Sequence, residues 1–243
     1  MSRLHCAVFA LLALILAGTP ANAAEFSEVR PIGFSADGAV FAFEEFGVQD
    51  GSGFPFASRF FIDTATDRFL PGSTVRVIID DESKTVADAR AAAAAQSAGL
   101  EEKYSFLANP GVIAAFNPLS ELDSDAHTLR YLPLSVVPEY FRPYTARLTE
   151  KPLPSSSPCN SATETSLSFR LEMTEIEGEP ASVLLHEDNA LPKSRHCPRS
   201  YRLGGVVTHH ADGIWTHAFL VLYQSFGFEG EHGRWIAVTR RFE

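Results

Sequence analysis

Aspartate–glycine pairs punctuate this chain between runs of aromatic and branched residues, and they leave few folds open to it. Asp37-Gly38 separates FSEVRPIGFS from AVFAFEEFGV, and Asp50-Gly51 with Gly53 separates that run from FASRFFID. Such pairs supply the positive-φ turn of a tight hairpin, so antiparallel strands are expected on either side. Val40 and Ala42 alternate with Phe41 and Phe43 in the second run. Successive strand side chains point to opposite faces, so this strand carries apolar groups on both and is expected between two layers. Glu44 and Glu45 are neighbours there and must face opposite ways, which rules them out as a paired general acid and base. Asp50, Ser52 and the glycines lack the spacing of a calcium loop and are predicted to form a turn.

The last third repeats the strand texture in SLSFRLEMTEIEG, ASVLLHED, YRLGGVVTHH, WTHAFLVLYQSF and RWIAVTRRF. Ala211-Asp212-Gly213 echoes Ala36-Asp37-Gly38, and Arg234-Trp235-Ile236 follows at the offset of Arg59-Phe60-Phe61. Units of this kind recur in propeller blades, although two copies fall short of a repeat array. Between the β-rich thirds, Thr85 and Asp88 form a capping-box signature ahead of VADARAAAAAQSA, and Gly99 stands where a C-terminal cap belongs. One helix over residues 85–99 is predicted. Beyond it the chain is broken up by Pro133, Pro138, Pro143, Pro152, Pro154 and Pro158. Proline donates nothing to a ladder, so the short segments between these residues read as edge strands and loops. The expected fold is mainly β, with antiparallel sheets in a propeller-like or sandwich arrangement and one inserted helix.

The N-terminus carries a different message. Arg3 precedes an apolar run from Cys6 to Ala17, followed by Gly18, Pro20 and the small triplet Ala21-Asn22-Ala23. That order is the secretory signal pattern, with cleavage expected before Ala24. The run is too short for the roughly 20 residues of a spanning helix, and no later segment is long and apolar enough to span. Residues 1–23 are therefore assigned as a signal peptide and 24–243 as a single β-rich domain, periplasmic or secreted. The chain has a formal net charge of -10, which Arg3 leaves one unit more negative on removal. Phosphate affinity comes chiefly from Lys and Arg, so nucleic acid is not expected as a partner. Cleavage also removes one of three cysteines, leaving Cys159 and Cys197. Two thiols in an oxidising compartment read as one disulfide, which stabilises by about 4 kcal/mol in the chain-entropy picture.

Two clusters carry candidate chemistry. Lys193, Arg195, Arg199 and Arg202 surround Cys197 and form a candidate anion site, with charge balance against Glu187 and Asp188 as the competing account. VVTHHADGIWTH and GFEGEHGRW offer His210, His217 and His232 as candidate metal ligands, with Glu229 and Glu231 nearby. Zinc needs three or four converging groups, and the competing reading is a solvated strand end. No nucleophile elbow, zincin, Walker or dinucleotide fingerprint occurs, and no cofactor is expected.

IGFSADGAVFAFEEFGVQDGSGFPFASRFFIDTATDRFLPG, LPKSRHCPRSYRL and GFEGEHGRWIAVT together resemble a bacterial family of predicted secreted proteins, domain of unknown function 2259. The resemblance runs from Phe26 to the C-terminus and implies export, a single domain and an envelope location. It brings no catalytic residues. FSADG also resembles the FSPDG units of periplasmic propeller repeats, with Ala36 in place of proline. The leading reading is an exported, non-catalytic binding or scaffold domain with an envelope protein as a possible partner. The alternative is a metal-dependent hydrolase using the histidine-rich C-terminal third.

Overall fold

The computed structural model describes residues 25–137, 140–154, 156–159, 165–227 and 230–242. The expected signal peptide, residues 1–23, lies outside them, as does Glu229. Among the described residues the chain forms three antiparallel sheets. The first sheet holds β1 (Glu28–Phe34), β2 (Val40–Val48), β3 (Pro55–Asp63), β4 (Arg68–Phe69) and β5 (Val75–Ile78). Helices α1 (Val86–Gln96) and α2 (Ala98–Tyr104) come next, then a 3-10 turn at Phe106–Ala108. The remaining strands are β6 (Val112–Phe116), β7 (Thr128–Tyr131), β8 (Tyr144–Pro152), β9 (Leu167–Ile176), β10 (Glu179–Glu187), β11 (Pro198–Ala211), β12 (Ile214–Phe226) and β13 (Glu231–Phe242). They form a middle sheet in the order β13-β12-β11-β6 and an outer sheet in the order β10-β9-β8-β7.

The sheets stack as layers, the sandwich form of the expectation. Tyr201, Leu203, Phe219, Val221 and Val238 of the middle sheet pack against Leu148, Phe169, Leu171 and Met173 of the outer sheet. On its other face Val207, Ala218 and Leu220 meet Phe34, Phe41, Phe43, Phe60 and Ile62 of the first sheet. Val40, Ala42 and Phe61 point away from those phenylalanines and pack under Phe106, Leu100 and Tyr104. β2 is thus an inner strand covered on both sides, as its doubled apolar alternation predicts. The Asp37-Gly38 and Asp212-Gly213 turns close the β1–β2 and β11–β12 hairpins. They also meet, because Thr216 Oγ1 donates to Gly38 O at 3.4 Å. Gly33, at φ 148°, lies so close to the 3-10 turn that a Cβ would sit 2.2 Å from Phe106 O. Only glycine fits there.

The capping box forms as the sequence predicts: Thr85 Oγ1 accepts from Asp88 N–H, and the Asp88 carboxylate accepts from Thr85 N–H at 2.8 Å. Helix α1 ends at Ser97, however, and Gly99 lies inside α2, which runs on to a left-handed cap at Ser105. The insert is therefore two helices rather than one. The proline-rich stretch departs from its expectation too. β8 is an inner strand, paired to β7 on one side and β9 on the other. Pro143 precedes it and Pro152 ends it, so the prolines mark its limits without interrupting its ladder.

Glu44 binds the helical layer to the first sheet. It is 1% exposed and accepts from Arg59 Nε at 3.1 Å and Arg90 Nε at 2.8 Å. Arg90, from α1, also lies over the Phe46 ring at 4.0 Å, and Arg59 reaches Ser97 Oγ at 3.1 Å. Glu44→Ala removes the shared acceptor of two guanidinium groups. It is expected to cost roughly 2–3 kcal/mol, the lower end for a broken buried pair because Arg90 keeps some solvent. Equilibrium urea unfolding with an unchanged m-value measures it.

Candidate functional site: a cleft along the free edge of β13

β13 is an edge strand, and its outward N–H groups must find partners other than a neighbouring ladder. The chain supplies them one by one. Gly233 N–H donates to Glu25 O at 2.8 Å, and Ser27 N–H returns a bond to Gly233 O at 3.0 Å. Trp235 N–H donates to Glu45 Oε2 at 3.1 Å, and Thr239 N–H to Asp67 Oδ1 at 2.7 Å. Residues 233, 235 and 239 thus face outward. The β12–β13 register is unbroken, so Ala237 faces outward with them. Its N–H and C=O have no partner among the described residues.

Around Ala237 lies a cavity of about 510 Å³. One wall is the first sheet, whose polar row Glu45–Ser58–Arg76 crosses β2, β3 and β5 in register. Aromatic and aliphatic neighbours, Phe56, Phe60, Phe69 and Ile78, flank that row, and Trp235 and Tyr223 add to the apolar lining. The opposite wall is the segment from His186 to His196. The Cys159–Cys197 disulfide, with Cα atoms 5.2 Å apart, holds the end of that segment to the loop after β8.

Charge in the cleft is unevenly satisfied. Glu45 is 8% exposed, and only Oε2 takes hydrogen bonds, from Trp235 N–H and from Ser27 Oγ at 3.4 Å. Burial raises its pKa above the ordinary 4.5, against the Trp235 N–H, Arg234, Ser27 and Arg76, which favour the ionised form. Arg234 pairs with Glu25 and lies over the Phe56 ring at 4.4 Å. Arg76 lies 5.7 Å from the Phe60 ring centre. Neither the Arg76 nor the Arg68 side chain has an ion-pair or hydrogen-bond partner among the described residues. His186 lies between Asp188, 3.0 Å from Nε2, and Asp67, 3.7 Å from Nδ1. Burial pulls its pKa down, but the bonds to the two carboxylates outweigh this and raise it to about 8. Burial pushes the Tyr223 hydroxyl up to about 12, with Glu45 adding to the effect.

The basic cluster of the sequence is dispersed by the fold. Arg195 is buried in the cleft wall, its Nη1 held by both Asp188 oxygens at 2.8 and 2.7 Å. Arg202 lies toward the opposite edge of the middle sheet, where it binds Asn117 Oδ1 at 2.6 Å and Ser124 Oγ at 2.7 Å. Arg199 is engaged, and Lys193 is exposed on a 3-10 turn. The histidines separate as well. His217 is fully buried with Nδ1 2.9 Å from the Tyr131 hydroxyl, and burial lowers its pKa to about 3. His210 is exposed and tilts on Trp215 at 4.7 Å. His232 pairs across from Ser225, eight residues along β12 from His217, so about 26 Å of strand separates the two. No group of three or more His, Cys, Asp or Glu side chains that could hold a metal occurs among the described residues. Sequence reasoning missed Ser58, Arg76 and Ala237. The only advance signal was the alternation that places Glu45, Ser58 and Arg76 on strand faces.

A family model described as predicted secreted protein (DUF2259) matches residues 42–241. No curated protein and no solved structure matches the chain. No helix among the described residues is long and apolar enough to cross a membrane.

The Glu45 shift makes a prediction with a definite sign. A carboxyl whose folded pKa is raised adds nothing unfavourable below pH 4.5 and loses stability as pH rises through the folded value. Glu45→Gln keeps an acceptor for Trp235 N–H and cannot ionise. Its melting temperature is expected to exceed that of the parent at pH 7, and the difference is expected to vanish below about pH 4.5.

Proposed function

Because the chain belongs to the DUF2259 family of predicted secreted proteins, we propose that it is an exported, non-catalytic binding domain whose ligand occupies the cleft along β13. The observation that carries this reading is the unspent bonding capacity inside an apolar-walled cavity of ligand size. Among the described residues Glu45 has one unbonded oxygen, the Arg76 side chain lacks an acceptor and the Ala237 peptide groups are open, all beside Phe56, Phe60 and Trp235. Ligand sites combine a predominantly apolar lining with a few convergent polar groups in this way, and about 510 Å³ falls within their usual volume range. The way those groups are held favours binding over turnover. His186 and Arg195 are tied to Asp188, and among the described residues neither Ser58 nor Ser194 is hydrogen-bonded to a base.

Export is the other half of the proposal. Residues 1–23 direct the chain to the bacterial periplasm and are removed there, and the domain from Ala24 onward oxidises Cys159 and Cys197. Material recovered from the periplasm is expected to begin at Ala24 and to show no free thiol by mass spectrometry. Recovery with Met1 retained overturns this half.

The cleft itself is tested with 8-anilinonaphthalene-1-sulfonate, an anionic aromatic probe. Its fluorescence is expected to rise on the native mature protein and to be lost in Ser58→Trp, which fills the cleft, and weakened in the exposed variant Arg76→Ala. Both variants must melt like the parent. Unchanged probe binding in both places the probe elsewhere and overturns the cleft as the binding site.

A further inference from the structure

The open rung at Ala237 has a specific chemical complement. Along the outward edge of β13, Gly233 is occupied by the segment Glu25–Ser27, Trp235 by Glu45 and Thr239 by Asp67. Among the described residues, Ala237 alone of these keeps both its N–H and its C=O for another chain, on the lining of the cavity. In an antiparallel pair, one residue of the added strand exchanges both bonds with one residue of the edge. A ligand that satisfies Ala237 therefore carries an N–H and a C=O in extended geometry, which is the main chain of a peptide. The side-chain caps at Trp235 and Thr239 leave about 13 Å of strand between them, so the added segment is limited to about three residues.

Charge identifies which part of a peptide this is. The chain is acidic overall, yet the cleft lining holds Arg68, Arg76, Arg195 and Arg234 against Glu45 and Asp67. Arg195 and Arg234 are paired to Asp188 and Glu25, which leaves Arg68 and Arg76 for a ligand. Arg76 shares a cross-strand row with Glu45, the group that caps Trp235, and lines the same cavity as Trp235 and Ala237. Guanidinium presents a fork matched to a carboxylate. Phe56, Phe60 and Ile78 flank the same row and form an apolar lining for a side chain.

Resting on the cleft as the binding site, we infer that it captures the carboxyl terminus of an apolar peptide. The peptide adds antiparallel to β13 at Ala237, its terminal carboxylate on Arg76 and the side chain of the residue opposite Ala237 against Phe56 and Phe60. Strand addition and capture of a terminal carboxylate are both established ways of holding peptides, and here one edge and one arginine provide them together. Glu45 caps the neighbouring N–H and stops the added strand at its last residue. That restricts the site to chain ends over internal segments.

The test uses the intact mature protein and the N-acetylated tripeptide alanyl-leucyl-phenylalanine, measured by calorimetry and by displacement of 8-anilinonaphthalene-1-sulfonate. The free acid is expected to bind about tenfold to a hundredfold more tightly than its C-terminal amide, the range for a hydrogen bond to a charged group. Arg76→Ala is expected to reduce the acid to the level of the amide and leave the amide unchanged. N-methylation of the leucine, which removes the donor facing Ala237 C=O, is expected to weaken binding by a few-fold to about tenfold. Ala237→Pro removes the matching N–H at an outward edge position, where proline leaves the β12–β13 ladder intact. It is expected to weaken the acid and the amide alike. Glu45→Gln removes a like charge beside the carboxylate and is expected to tighten the acid. Equal affinity for acid and amide, or weakening by Glu45→Gln as a cationic ligand requires, overturns the peptide-terminus assignment. Failure of either peptide to displace a probe that Ser58→Trp excludes does the same while leaving the cleft standing. A probe insensitive to Ser58→Trp and Arg76→Ala brings down the cleft itself.

Discussion

Burial of the middle sheet on both faces is the constraint on which the other features depend. β11 and β12 present apolar residues in both directions, Phe219 and Val221 toward the outer sheet and Ala218 and Leu220 toward the first. Each fully buried side chain of this kind is worth roughly 1.5–3 kcal/mol, so neither covering layer can be dispensed with. A sheet sealed above and below has no face left for a ligand. Only its two edges remain available, β6 on one side and β13 on the other. The cleft lies at the second of these, lined by the first sheet on one side and the segment from His186 to His196 on the other.

Two adjacent glutamates illustrate how the layers divide labour. The β2 pleat turns Glu44 toward the helices and Glu45 toward β13, and both are buried. Glu44 meets two guanidinium groups and serves as a structural joint between α1 and the first sheet. Glu45 meets one backbone N–H and a distant hydroxyl, so its desolvation is only partly offset. One residue of offset along a strand separates a satisfied charge from a poised one.

Much of this architecture was legible in the residues. The Asp-Gly turns located the hairpins, and the doubled alternation in Val40–Phe43 identified an inner strand. The Thr85–Asp88 box marked the start of α1. Gly99 misled because glycine is tolerated early in a short second helix as readily as at a cap. Proline misled because its cost depends on position: at Pro143 and Pro152 it flanks an inner strand without depriving it of any needed donor. The cleft was opaque for a different reason. Glu45, Ser58, Arg76, His186 and Ala237 come from four strands and the end of a fifth, and nothing in local periodicity reports which strand ends up at an edge. Clusters that were visible, such as Lys193 to Arg202 and His210 to His232, were neighbours in sequence that the sheets then carried apart.

The order of strands has a consequence for how the chain comes into being. Everything in the first sheet has been synthesised by Ile78, yet its phenylalanine face is covered only by strands that begin at Pro198. Roughly 120 residues must pass through the exit tunnel in between, on the order of ten seconds of synthesis. β6 likewise waits for β11, its pairing partner. A nascent chain of this topology therefore travels with a sticky, half-built interior, and any prematurely terminated copy keeps it for good.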